Sequence, residues 1–363
     1  MKICVLIMAY NEAHCIGETL LSTLSIASEY IIIDHYSTDD TMKICNDFFD
    51  KHSVKGTVYQ KEWKDFGTNY SYLYEYGFRY STCDYLYQID ADDIIVGNMN
   101  IHNLTEDAYA VQFNDDGTVY IRYQLFKNNV LWRHRMCLHG YVTTSDLSPY
   151  TKGMLHGDYY VVSRRLGNRH QNIDRKTKYS NDARQIEEAL KGETYRFDMV
   201  RYYFYLGQSY MCAEQYQNAI NAYLKRISYG GWEEELYYAR LMIATCHILL
   251  GEDKKAIRKY RRCHQLHSDR AEPLYNIACI YKNQKLYKES NTILKQALLI
   301  PFPSHRTLFQ LKYVYDYGMH QLMAYNYWYL NKLSKCLNIC NQLEKLDLPE
   351  NTRNDIEHLK KWC

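Results

Sequence analysis

Small residues recurring in pairs constrain the second half of this chain more tightly than any other feature. Gly207 is followed twelve residues later by Ala219, Ala244 by Ala256, and Ala278 by Ser290. Four positions beyond each second member stand Tyr223, Tyr260 and Leu294, so the unit repeats at a step of 37 and then 34 residues. Small side chains are needed where two helices cross closely, and pairs at such a step predict stacked helix–turn–helix units. A non-repeating bundle leaves the constant offset unexplained. Pro301 and Pro303 interrupt the pattern. Leu308–Cys340 and Asn351–Lys361 are expected as more divergent helices capping the stack.

Before about residue 175 the pattern differs, with short β-type runs alternating with helical stretches. Ile3–Met8 and Tyr30–Ile33 read as strands, the second ending at Asp34. Val58 and Tyr59 mark a third strand and Tyr85–Ile89 a fourth. Helices are expected over Ile16–Ser28, from Thr41 to about Asp50, and over Asn69–Tyr80, with capping chemistry in Ser37–Thr41. This alternation argues for a parallel sheet covered by helices. The fold class is therefore α/β followed by all-α, with domains drawn at 1–172 and 173–363. In such sheets ligands collect beyond the carboxyl ends of the strands, where Asn11, Asp34 and Asp90 fall.

The run Tyr87–Ile95 breaks from apolar to three carboxylates, Asp90, Asp92 and Asp93, and becomes apolar again. If the extended conformation persists, Asp90 and Asp92 share a face. Clustered carboxylates repel unless something positive lies between them, and a hard divalent cation carrying nucleotide phosphates meets that need. A solvated acidic turn is the alternative.

Composition narrows the rest. A net charge of +2 indicates neither a nucleic-acid footprint nor an acidic tail. The 12 cysteines form no CxxC pair, and Cys336 and Cys340 lack a second pair to complete a metal site. Buried free thiols in a reducing compartment are expected. No run of roughly 18 apolar residues occurs, so no membrane span is expected, and Cys4–Tyr10 is too short for a signal peptide. A cytoplasmic protein is expected. Tyrosine is unusually abundant, 39 against 10 Phe, and is expected as half-buried packing with hydroxyls reaching water.

The segments VLIMAYNEA, IIIDHYSTDDT and QIDADD arrive in an order and spacing that resembles a family 2 glycosyltransferase of the GT-A fold. The segments RYYFYLGQSY, AINAYLKRISYGGWEEELYYA and RAEPLYNIACIY are similar to the tetratricopeptide extension found on a subset of these enzymes in bacteria and large DNA viruses. The two likenesses together cover nearly the whole chain. For a viral chain the compartment would be the host cytoplasm.

The resemblance implies a nucleotide-sugar donor, a UDP-sugar by default, a glycan or protein acceptor, and an inverting transfer assisted by Mn²⁺ or Mg²⁺. It places Asp92 on the metal and Asp90 on the metal or ribose. Ala9, Tyr10, Glu12 and Asp34 fall around the nucleoside, Asn69 beside the sugar-nucleotide, and His156 as a third metal ligand. Arg165 is expected over the pyrophosphate, with Arg164 and Arg169 beside it. A helix cap is the competing reading for Asn69, as an Asx-turn or cap is for Asp34 and Glu12. Two departures stand out. Tyr70 takes a place where many relatives carry Arg, and Gly140 takes that of the expected general-base Glu. The second leaves His139 and Asp146 as candidate bases, and leaves open a different acceptor, a shifted loop or a lost activity. The runner-up reading is a nucleotide-binding scaffold acting through its repeats. A homodimer through the helical half is a further implication, with no nucleic-acid partner.

Overall fold

The computed structural model describes residues 1–115, 118–164, 166–167, 174–306 and 309–363. It divides into two compact units, Met1–Glu193 and Thr194–Cys363. The 172/173 boundary drawn from sequence lies outside the described residues.

In the first unit, strands β1 (Ile3–Ala9), β2 (Glu29–Asp34), β3 (Lys55–Gln60) and β4 (Tyr85–Asp90) pair in parallel in the order β3-β2-β1-β4. Alternate residues of β1 enter different cores. Ile3, Val5 and Ile7 pack under helices α1 (Ile16–Thr23) and α2 (Thr41–His52), while Cys4 and Leu6 pack against α3 (Phe66–Tyr80). Near-continuous apolar strands follow from burial on both faces, each large aliphatic side chain contributing about 1.5–3 kcal/mol. The helix expected to reach Ser28 stops at Thr23, and Leu24–Ala27 turns into β2.

The sheet continues through strands that sequence reading left unassigned. β5 (Asp93–Met99), β6 (Ala108–Asp115), β7 (Thr118–Lys127), β10 (Lys152–Met154) and β11 (Gly157–Ser163) complete nine strands among the described residues. β7 runs antiparallel beside β4, Tyr87 facing Leu125. A separate hairpin, β8 (Trp132–Arg135) and β9 (Tyr141–Thr144), lies against α3. Helix α4 (Arg175–Gly192) is capped by Asp174, whose side chain accepts from the Thr177 N–H.

The second unit consists of helix pairs: α5 (Arg196–Cys212) with α6 (Tyr216–Ser228), α7 (Glu233–Leu249) with α8 (Asp253–Leu266), and α9 (Glu272–Asn283) with α10 (Tyr287–Ala297). The predicted small residues lie at the crossings. A Cβ on Gly207 would come 2.6 Å from the Tyr223 ring, and the Ser290 hydroxyl donates to the Ala278 carbonyl at 2.8 Å. A fourth pair, α11 (Met319–Tyr329) with α12 (Leu333–Leu343), repeats the rule with Ala324 and Cys336 twelve apart and Cys340 four further on, all fully buried. Helix α13 (Glu350–Lys361) closes the stack. Most tyrosines are half-buried as expected, but Tyr223 and Tyr237 are drier, buried with hydroxyls that have no partner. No helix among the described residues is long and apolar enough to cross a membrane.

Candidate active site

Parallel pairing brings the polar strand ends to one edge. In the ladder Ala9 faces Asp34 and Met8 faces Asp90, so the carboxyl ends of β1, β2 and β4 stop at the same level. Beyond β1 the chain turns through Asn11, which has a φ of 55°. The loop is latched to the one after β2. Ser37 Oγ accepts from the Asn11 N–H at 2.8 Å, Asn11 Oδ1 from the Thr38 N–H at 2.7 Å, and Thr41 Oγ1 from the Glu12 N–H at 2.8 Å. Tyr10 stands 44% exposed at the rim, while Ala9 is buried.

Asp34 is fully buried. Its Oδ2 accepts from the Ser37 N–H at 3.0 Å and from Gln60 Nε2 at 3.3 Å, whereas Oδ1 has no partner. Leaving a buried acceptor unmatched costs about 1–3 kcal/mol, so the position suits a donor arriving from outside the chain.

Asp90 is held on three sides. The Tyr70 hydroxyl donates to Oδ1 at 2.5 Å, Gln88 Nε2 donates to the same oxygen at 3.1 Å, and Arg122 lies 3.6 Å from Oδ2. Burial, then the Asp90 charge, keeps the Tyr70 phenol well above its ordinary pKa, so it stays a donor. Behind it, Asp93 is buried with Oδ2 unpartnered, and its pKa is pushed up to about 8 by burial first and the Asp90 charge second, Arg122 opposing. Arg122 was not anticipated. The signal was a lone guanidinium in the aromatic run of β7, but only β4–β7 pairing brings it to Asp90.

Asp92 and Glu12 face a common point. A Cβ on Gly167 would lie 3.4 Å from both Asp92 Oδ2 and Glu12 Oε1. The Gly167 N–H donates to Asp92 Oδ2 at 2.8 Å, and the Leu166 carbonyl lies 2.9 Å from His14 Nε2. Arg164 fixes this segment by donating from Nε to the Asp92 carbonyl at 2.6 Å and from Nη1 to Glu18. Glu12, His14 and Cys15 also place potential ligand atoms within 4.8 Å of one another. The Cys15 thiol donates to Glu12 Oε2 and is pushed up by burial, then by Glu12, so it is a poor ligand beside the carboxylates. Two converging carboxylates suit a hard cation with oxygen preference, Mg²⁺ or Mn²⁺. Arg165 and Arg169 lie outside the described residues.

Several expected residues are placed otherwise. Asn69 is fully buried, its Nδ2 against the His35 ring at 3.1 Å and its Oδ1 accepting from the Lys64 N–H. It fastens the loop before α3 instead of facing a ligand. Nor is it the cap: Asp65 takes that role, accepting from the Thr68 N–H at 2.9 Å. His156 is exposed beside Gly157, which pairs with Met99, whereas the far end of β11 pairs Ser163 with Asp93. The intervening strand separates His156 from Asp92 by roughly 20 Å. It is not a ligand of the Asp92 site. Asp146 follows Thr144, the β9 residue paired with Trp132, and its Oδ1 closes a local turn on the Ser148 N–H at 3.0 Å. It stands at the far end of the hairpin from the loop that holds His139.

Gly140 has a steric cause. A Cβ there would come 2.1 Å from the Arg135 carbonyl oxygen and 2.2 Å from His134 Cε1, so no Glu fits without moving the hairpin. The His134 ring in turn stacks near Tyr70, centroids 5.0 Å apart. His139, exposed at a φ of 52°, belongs to the loop that touches the start of α3 through Met136 and Gly67.

Residues 4–170 match the family model described as Glycosyl transferase family 2. Two curated proteins are each 36% identical over 88 residues: the SPbeta prophage-derived glycosyltransferase SunS of Bacillus subtilis (strain 168) and the glycosyltransferase SunS of Bacillus phage SPbeta. The aligned stretch covers 24% of this chain and 19% of theirs, so the chain spans about a fifth of the length of the curated relatives it matches. Among solved structures, a tetratricopeptide repeat protein from Parabacteroides merdae is 14% identical, covering 52% of this chain and 68% of that one, with a TM-score of 0.40. The S. aureus TarS 1–349 complex with UDP-GlcNAc is 14% identical, covering 74% and 92%, with a TM-score of 0.39.

Proposed function

We propose, from the match of residues 4–170 to the Glycosyl transferase family 2 model, that this protein moves a sugar from a nucleotide sugar, by default a UDP-sugar, to an acceptor with inversion. The observation that carries the reading is the unpartnered, fully buried Asp34 Oδ1 on the edge that also holds Asp90. Such an acceptor fits a ribose hydroxyl or a base N–H, with Tyr10 as the exposed ring at the rim.

Asp92 and Glu12 would hold Mn²⁺ or Mg²⁺, which when bound neutralises charge on the departing pyrophosphate. Asp90, held in place by Tyr70 and Arg122, would accept from the sugar-nucleotide or a metal-bound water. Of the two candidate bases, His139 is the one on the α3 side of the hairpin, and it would take the acceptor proton. The helical half would present the acceptor or a second copy of the chain along its repeats, in the cytoplasm.

A second reading, nucleotide binding without transfer, is favoured by one observation. The position of the expected base is a glycine that packing prevents from carrying a side chain. Donor hydrolysis and nucleotide release, measured with Mn²⁺ and a panel of UDP-, GDP- and dTDP-sugars, separate the two. Metal-dependent release from one donor, lost in Asp92→Ala, supports the transferase. Calorimetric nucleotide binding with no release from any donor supports the scaffold.

A further inference from the structure

Helix α8 concentrates charge that the whole chain does not have. The chain carries a net +2, yet α8 holds six Lys or Arg against a single acid, Asp253. Helical spacing sorts them. Ala256, Tyr260 and Cys263 enter the core, while Lys254, Arg258, Arg261 and Arg262 lie exposed on the opposite arc. The nearby acids are already engaged: Glu252 pairs with Lys255 and with His247, and Asp253 accepts from Gln284 at 2.6 Å. Among the described residues Lys254 and Arg258 have no acidic partner within 4.0 Å. A row of cations this dense repels itself unless an anionic surface offsets it.

The flanks specify what kind of surface. Leu249 and Leu250, at the turn into α8, are 48% and 41% exposed, and Leu266 at its other end is 45% exposed. Large aliphatic side chains at both ends of a basic helix gain nothing from a nucleic-acid backbone, but they gain by entering the acyl boundary of a bilayer. We propose that α8 is a peripheral membrane-docking face for anionic phospholipid, with the Lys/Arg arc on the headgroups and the leucines at the apolar boundary.

The test uses the full chain and flotation with vesicles of phosphatidylcholine alone or mixed equally with phosphatidylglycerol. Binding is expected with the anionic vesicles and not the neutral ones, weakening steeply with added salt. Arg258→Glu with Arg262→Glu is expected to weaken binding roughly tenfold or more, since each basic residue near such a surface is worth about 1 kcal/mol. Both sites are on the surface, and unchanged circular dichroism and melting identify a folded variant. Leu250→Ser with Leu266→Ser is expected to weaken binding several-fold without changing its salt dependence. Equal binding to both vesicles, undiminished binding by the folded charge-reversed variant, or retention of duplex DNA or RNA with no vesicle binding would overturn the proposal.

Discussion

Tyr70 donates its hydroxyl hydrogen to Asp90 Oδ1 across 2.5 Å, joining the first turns of α3 to the end of β4. A neutral phenol stands where the family resemblance led us to expect Arg, and positive charge arrives instead from β7 through Arg122, 3.6 Å from Oδ2. The substitution at Tyr70 therefore does not leave Asp90 without partners. Removing the hydroxyl with Tyr70→Phe is expected to lower kcat/KM for the donor roughly tenfold or more, the worth of one hydrogen bond to a charged group. Steady-state kinetics measure it, with a melting curve to show that the fold is kept.

Asp93 makes stability depend on pH. Its pKa is raised from an ordinary 3.8 to about 8, so between those values the folded state binds a proton that the unfolded state releases. The stabilisation is complete below about 4 and is lost as pH rises to about 8. Wild-type protein is expected to melt at a lower temperature at pH 8 than at pH 5. Asp93→Asn is expected to flatten that slope. Calorimetric melting over the range checks it, and an unchanged slope in the variant would refute it.

Restoring a side chain at position 140 is expected to harm the protein. A Cβ would meet the Arg135 carbonyl and the His134 ring inside 2.3 Å. Gly140→Ala should destabilise the protein by about 1–3 kcal/mol in urea unfolding, the usual cost of overpacking. Gly140→Glu is expected not to raise transfer, because the hairpin must move to admit it.

Gly207 gives the parallel test in the helical unit. The Tyr223 ring is 2.6 Å from where its Cβ would be. Gly207→Val should cost about 1–3 kcal/mol by forcing α5 from α6, whereas Gly192→Ala, with open space around it, should be near neutral. Urea unfolding followed by circular dichroism distinguishes the two.

How far these features were legible depends on whether the cause was local. Strands β1, β2 and β4 were readable because burial on both faces demands unbroken apolar runs, and Asp34 and Asp90 were readable as the polar stops that end two of them. Arg122 was not, since its role comes from antiparallel pairing of β7 with β4, a relation no spacing announces. His156 was misplaced for the same reason. Its neighbours in sequence look suitable, but His156 precedes the start of β11, which pairs with the far end of β5, and the strand reaches Asp93 only at Ser163. The repeats were legible through the small pairs, and the fourth was obscured because Cys336 fills a small-residue slot after a proline-bearing insertion.

We propose that the edge holding Asp34, Asp90 and Asp92 binds a nucleotide sugar through a divalent cation. Isothermal calorimetry of UDP and of UDP-sugars, with Mn²⁺ or with chelator, tests it most directly in wild type, Asp92→Ala and Asp34→Asn. Binding is expected to require Mn²⁺, to be lost in Asp92→Ala, and to weaken at least tenfold in Asp34→Asn. Metal-independent binding of equal strength in all three proteins would contradict it.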